Sequence, residues 1–259
     1  MTPRTRLLAI AVMAIASLGT AACTQGQGEG IVGSDQLWAR DCWCSGYNMQ
    51  PDFFAAVPYR DTLQIRLQHG ADVQEISDGV SIVIDDVLAA RSELNKPLPV
   101  KLPAELEPLA TGKVWTLADE AAQCKAESLI AQLPTDDIES KARKEKFETL
   151  LAALPSSEEK SDEASIVHMA LYLQQSCHNQ NIVLHAVSGW IMFTSLFSGD
   201  PNEAVGADKL TEAVFSVMVG DPQDAPPDKP GEIPLNRQTR LQGYFNFYFQ
   251  RGQPAQPFP

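Results

Sequence analysis

The sequence predicts a mainly β protein of the α+β class: an antiparallel β-sandwich or open barrel, with a helical segment (about 117–154) inserted between strands. Three observations carry this expectation. From Ser165 onward, apolar residues recur at every second position, which is the period of a strand with one buried face. The runs are Val167-Met169-Leu171-Leu173, Val183-His185-Val187, Ala213-Phe215-Val217-Val219 and Leu241-Phe245-Phe247-Phe249. An earlier alternation, Leu63-Ile65-Leu67 and then Val80-Ile82-Ile84, is interrupted by the turn residues His69 to Asp72 and Ser77 to Gly79, so it reads as an antiparallel pair. Between the two blocks, Leu117–Leu133 and Asp136–Leu154 are rich in Ala, Glu, Lys and Leu and stop at Pro134 and Pro155, as helices do.

Taken in order, residues 1–22 form a leader. Arg4 and Arg6 precede an apolar run, Leu7 to Leu18, that is shorter than the roughly 20 residues a membrane span requires. The run ends in Leu18-Gly19-Thr20-Ala21-Ala22-Cys23. This hexapeptide resembles the lipobox of bacterial lipoproteins, matching at Ala21, Ala22 and Cys23, with Thr20 standing where that family prefers Leu, Val or Ile. The resemblance implies that Cys23 is acylated and becomes the mature N-terminus; ordinary cleavage after Ala22 is the competing outcome. It also implies an address: a lipid-anchored protein of the bacterial cell envelope, and, because Thr24 is not Asp, the outer membrane. Only these 23 residues carry a family motif.

Residues 23–34 are expected to be a flexible tether, because TQGQGEGIVGS is Gly- and Gln-rich and without period; ten such residues span roughly 17 Å. Residues 35–259 then form a single β-rich domain. Asn95 to Leu109, with four prolines, reads as an extended connector. On the second helix Ile138, Phe147, Leu150, Leu151 and Leu154 are assigned to one face, and Lys141, Arg143, Lys144 and Lys146, interleaved with Glu139, Glu145 and Glu148, to a solvated salt-bridged face. Ser188-Gly189 reads as a tight turn between two strands, Gln223 to Asn236 as an exposed Pro-rich loop, and Ser156 to Glu163 as a charged linker.

Composition narrows the function. The chain of 259 residues carries a charge of −13, which becomes −15 when the leader with Arg4 and Arg6 is removed. Such a surface repels phosphate backbones and anionic lipid headgroups alike, so nucleic acid is excluded as a partner and anionic headgroups are disfavoured over the body's surface. The expected partners are the membrane, through the lipid, and an envelope protein or glycan; no cofactor is expected. With Cys23 acylated, four cysteines remain. Cys42 and Cys44 are separated only by Trp43, too close for an unstrained mutual bridge, so both are expected to pair with Cys124 and Cys177. A metal site built on Cys42, Cys44 and a histidine lacks the paired knuckle of zinc sites.

Two loops repeat Gly-Asp-Pro, at Gly199-Asp200-Pro201 and Gly220-Asp221-Pro222. Turn chemistry explains both. The sharper alternative is calcium held by Asp200, Asn202, Glu203 and Asp208, which are hard oxygen ligands without a complete loop signature. Ser157-Glu158-Glu159-Lys160 spells S-x-x-K but lacks the companion elements of serine acyltransferring enzymes, and the chain contains no G-x-S-x-G and no H-E-x-x-H. No catalytic residue is nominated. The expectation is a non-enzymatic binding or structural domain, with an envelope hydrolase or a calcium-stabilised adhesion module as the alternatives.

Overall fold

The computed structural model describes residues 28–35, 37, 46–70, 77–104, 106, 133, 135, 137–176, 182–229 and 231–249. Ten strands form one sheet. They are β1 (Gly28–Ser34), β2 (Tyr47–Met49), β3 (Phe53–Tyr59), β4 (Thr62–Gln68), β5 (Gly79–Ile84), β6 (Leu98–Pro99), β7 (Val167–Leu173), β8 (Ile182–Ser195), β9 (Leu210–Gly220) and β10 (Gln238–Tyr248). Two helices are described, α1 (Val87–Ser92) and α2 (Ile138–Ala152). The order across the sheet is β2-β1-β10-β9-β8-β7-β5-β4-β3, every pair antiparallel, with β6 added beside β8. The fold is therefore mainly antiparallel β, and the sheet curls into a half-barrel.

The curl follows from connectivity. The two edge strands, β2 and β3, are separated by only Gln50, Pro51 and Asp52, and the four residue steps from Met49 to Phe53 reach at most about 14 Å. Inside the curl, Phe54 of β3 stacks on Phe247 of β10 with ring centroids 5.6 Å apart. Alternate residues line this interior: Leu63, Ile65 and Leu67; Val80, Ile82 and Ile84; Val167, Met169, Leu171 and Leu173; Ala213, Phe215, Val217 and Val219; Leu241, Phe245 and Phe247. These are the residues whose two-residue period announces them, because a strand buried on one face must alternate. The antiparallel pairing of β4 with β5 places Leu67 opposite Val80, as the sequence predicts.

Four expectations are corrected. Residues 28–34, read as part of a tether, form β1 and are held in register between β10 and β2. The glycines belong there because β10 comes close: a Cβ at Gly28 would lie 2.4 Å from the Phe247 Cβ, and one at Gly30 would lie 3.0 Å from the Tyr244 carbonyl oxygen. Glycine spacing that reads as flexibility is instead the room that two backbones and a row of phenylalanines require.

Second, Ser188-Gly189 is not a turn, and β8 runs through it for 14 residues. A register shift between Ala186 and Ser188 and a φ of +118° at Gly189 bend the strand there. A Cβ on Gly189 would lie 2.5 Å from the Ser216 carbonyl oxygen and the Val217 Cα, so only glycine fits. Ahead of the bend the inward residues are Ile182, Leu184 and Ala186, so Val183, His185 and Val187 belong to the outer face. Third, Ile138 is 88% exposed. It precedes Phe147 by nine residues, which at 100° per residue is half a turn, whereas Leu150, Leu151 and Leu154 return to the Phe147 face.

Fourth, the loop at 223–236 is not simply exposed. It contains two short 3₁₀ turns, Pro222–Asp224 and Leu235–Arg237, and folds Ala225 and Ile233 onto Val187. Of the helical insertion, α2 lies between β6 and β7; the earlier predicted helix, apart from Leu133, lies outside the described residues. Helix α1 has no counterpart in the sequence reading, its six residues being too few to show a period; Asp86 caps it by accepting from the Ala89 amide at 2.9 Å.

The fit of glycine against phenylalanine is testable at Gly243, where a Cβ would lie 2.4 Å from the Phe215 ring and 2.8 Å from the Ile31 carbonyl oxygen. Gly243→Ala is expected to cost about 1–3 kcal/mol by overpacking and to lower the Tm by several degrees. Gly206→Ala, where no atom lies within 4 Å, is expected to shift stability by less than about 0.5 kcal/mol. Equal thermal shifts in the two variants contradict this packing.

Candidate functional site

The outer face of the half-barrel is covered where α2 lies across β8, β9, β10 and β1. Asp137 starts the helix: its carboxylate accepts from the Ser140 amide and from the Ser140 hydroxyl, each at 2.7 Å. Pro155 follows its end. Phe147 packs into a second apolar cluster with Ile31, Met192, Val214 and Tyr244, flanked by Leu133, Leu150, Leu151 and Leu154. The Phe147 and Tyr244 rings are 6.3 Å apart at 42°.

The basic face of α2 is solvated, and its ion pairs among the described residues reach down to the sheet. Arg143 meets Glu29 of β1 at 2.6 Å, and Lys146 meets Glu212 of β9. Glu212 is the one charged residue of β9, and it is buried. Its carboxylate accepts from Lys146, from the Thr194 hydroxyl, from the Tyr244 hydroxyl and, at 3.4 Å, from the Asn246 amide. Burial alone would raise the Glu212 pKa; the donors from Lys146, Thr194 and Tyr244 outweigh it and hold the carboxyl below its ordinary value. Burial, and then the hydrogen bond given to Glu212, pushes the Tyr244 hydroxyl up to about 12. For Lys146, burial acts to lower the ammonium, but its contacts with Glu212 prevail and raise it. The hydrogen bond and charge of Glu29 raise Arg143 as well.

Beside the Arg143–Glu29 attachment the helix and the sheet leave a cleft of about 280 Å³. Ile31, Phe147 and Tyr244 form its floor, and Glu29, Arg143 and Lys144 its charged rim. An apolar floor inside a charged rim is suited to one apolar group carried on a polar backbone. Glu212 and Tyr244 went unrecognised in sequence, although a single acid in the apolar run Leu210–Gly220 is the signal that could have marked one of them.

The residues nominated from sequence do not gather here. Cys23, Cys42, Cys44, Cys124 and Cys177 all lie outside the described residues. Their described neighbours show one relation: Tyr47, three residues after Cys44, and Ser176, one before Cys177, both donate hydroxyls to the buried Asp78 carboxylate. Of Asp200, Asn202, Glu203 and Asp208, the three carboxylates each accept a hydrogen bond from the protein. Asp200 accepts from the Asn202 amide at 2.8 Å, Glu203 from the Val205 amide at 2.9 Å, and Asp208 from the Arg91 guanidinium at 2.6 Å. Ser157 is buried on the outer face, where its carbonyl oxygen accepts from the Ser188 hydroxyl at 2.9 Å. The His168 imidazole contacts the Lys101 carbonyl oxygen at 2.8 Å and the Asp85 carboxylate at 3.2 Å, using both ring nitrogens. Burial pushes His185 down to about 4, which keeps it neutral.

Comparison with protein-family models, with curated proteins and with solved structures found no match.

The Glu212 network predicts a pH dependence. Its folded pKa lies below the unfolded value, so its contribution is complete above an unfolded glutamate's pKa of about 4.3 and is lost as pH falls through the folded value. In urea unfolding, the stability gap between the wild type and Glu212→Gln is expected to be widest near neutrality and to narrow below about pH 4. A gap of constant size across that range contradicts a charged Glu212.

Proposed function

We propose that the protein is a lipid-anchored module of the bacterial cell envelope that binds a partner non-enzymatically, through the cleft between α2 and strands β1 and β10. The lipobox-like Thr20-Ala21-Ala22-Cys23 supports the anchor. The observation that carries the binding reading is the cleft itself, lined by the Arg143–Glu29 pair, with α2 fixed to the sheet there and, farther along, by Lys146 on Glu212. The partner that fits it best is a segment of another envelope protein, presenting one apolar side chain to Ile31, Phe147 and Tyr244 and an acidic neighbour to Lys144. A body charged to −15 after cleavage repels acidic partners everywhere except at such local basic rims, which restricts where they engage.

Photo-crosslinking in the native host tests this reading. A photoreactive residue in place of Lys144, on the cleft wall, is expected to give a discrete adduct in intact cells, and one in place of Glu159, on the charged linker, is expected to give none. Cys23→Ala is expected to move the protein from the membrane fraction to the soluble fraction. The same adduct pattern at both positions, or none at Lys144, contradicts the cleft; membrane retention of Cys23→Ala contradicts the anchor.

A further inference from the structure

One end of the half-barrel is built from segments distant in sequence and bonded to one another. The β3–β4 hairpin turns at Arg60 and Asp61, and the Asp61 carbonyl oxygen accepts from the Val87 amide of α1 at 2.9 Å. From α1, Arg91 reaches the loop between β8 and β9, at the Leu196 carbonyl oxygen and the Asp208 carboxylate, 2.6 Å each. That loop is joined to the end of β10: the Phe249 amide donates to the Lys209 carbonyl oxygen at 2.7 Å, and the Phe249 ring stacks on Phe197 at 4.0 Å. The same end bears the start of β1, since Gly28 pairs with Phe247, and the first turn of α2, since Ser140 and Arg143 line the cleft with Gly28.

Exposed apolar side chains concentrate there. Among the described residues seven large hydrophobics are exposed. Tyr59 (67%), Leu88 (72%), Val205 (55%), Tyr248 (49%) and Ile138 (88%) belong to this end, and Val57 is two residues before Tyr59 on the same strand. Leu235 alone lies at the opposite end, beside the start of β10. Each of these segments is fixed by main-chain or ion-pair contacts of its own, so the exposed side chains are held at the rim and do not fold back into the core. Scattered exposed residues need no explanation, but a group confined to one pole of the molecule does.

The chain itself names the occupant of this surface. β1 starts at this end and runs away from it, and only five residue steps separate Gly28 from Cys23. Those steps span at most about 17 Å. An acylated Cys23 therefore holds this pole, and no other, within reach of the lipid. On the lipid-anchored reading above, we infer that the end carrying Tyr59, Leu88, Val205 and Tyr248 is a membrane-facing rim that lies against the phospholipid headgroups. Tyrosines suit that position, with an apolar ring and a polar tip. Acyl chains supply the affinity, and the rim sets the orientation. With the rim down, the end of the sheet where Gln238 pairs with Gly220 lies away from the bilayer.

The test uses the mature, full-length lipoprotein on vesicles of phosphatidylethanolamine and phosphatidylglycerol that contain a headgroup-nitroxide lipid. An environment-sensitive fluorescent amino acid is placed genetically at Leu88 or at Leu235, leaving the native cysteines untouched. Strong quenching at Leu88 and none at Leu235 is expected, with loss of the Leu88 quenching when Tyr59→Ser, Val205→Ser and Tyr248→Ser are added to the probe protein. Vesicle-bound protein whose two probes are quenched alike, or whose Leu88 quenching survives the triple substitution, overturns the rim while the anchor stands. Protein that does not float with the vesicles at all overturns the anchor, and the rim with it.

Discussion

The architecture depends on how β1 is accommodated. This strand joins the end of the chain to its beginning: it pairs with β10 along one edge and with β2 along the other, and three residues beyond β2 the chain enters β3 at the far edge of the sheet. Without β1 the curl has no first strand to lead into β2 and β3, and the apolar cluster beneath α2 loses Ile31. Its place is made by small residues facing large ones, Gly28 and Gly30 against Phe247 and Phe245, and Gly243 against Phe215. The phenylalanines fill the interior and the glycines let the backbones approach, so one set of residues closes the sheet and packs its core.

The same arrangement bears on the proposed anchor. A strand that is part of the sheet from Gly28 leaves only residues 24–27 between the body and Cys23, far less chain than a tether extending to Ser34. A shorter link restricts how the domain can turn relative to whatever holds Cys23. The cleft beneath α2 lies at the same pole, so the position of β1 bears on the proposed binding surface, on its distance from the proposed anchor and on the inferred orientation together.

What was legible in the sequence follows from burial. β4, β5, β7, β9 and β10 announce themselves because one face packs inside the half-barrel and the other is polar or covered, so the period of two survives. β1 was hidden because glycine in a strand and glycine in a linker look alike until the opposing phenylalanines are known. In β8 the bend at Gly189 separates two stretches of different phase, and a single glycine between apolar runs resembles a turn. Ile138 was misplaced by a count of nine residues along a helix, and α1 is too short to carry any period. The cleft was illegible for another reason: Glu29, Arg143, Phe147 and Tyr244 are dispersed over more than 200 positions, and no local spacing joins them. Only Glu212, a lone acid in an apolar strand, departed from its surroundings enough to be noticed.

Native-state amide hydrogen exchange on the full chain tests the central point most directly. If β1 is an integral strand, the amides of Ile31, Val32 and Gly33 exchange as slowly as that of Val217 in β9, with opening energies close to that of global unfolding. Exchange of those three amides at the rate of free chain, while β9 stays protected, would contradict the account and return residues 28–34 to the tether.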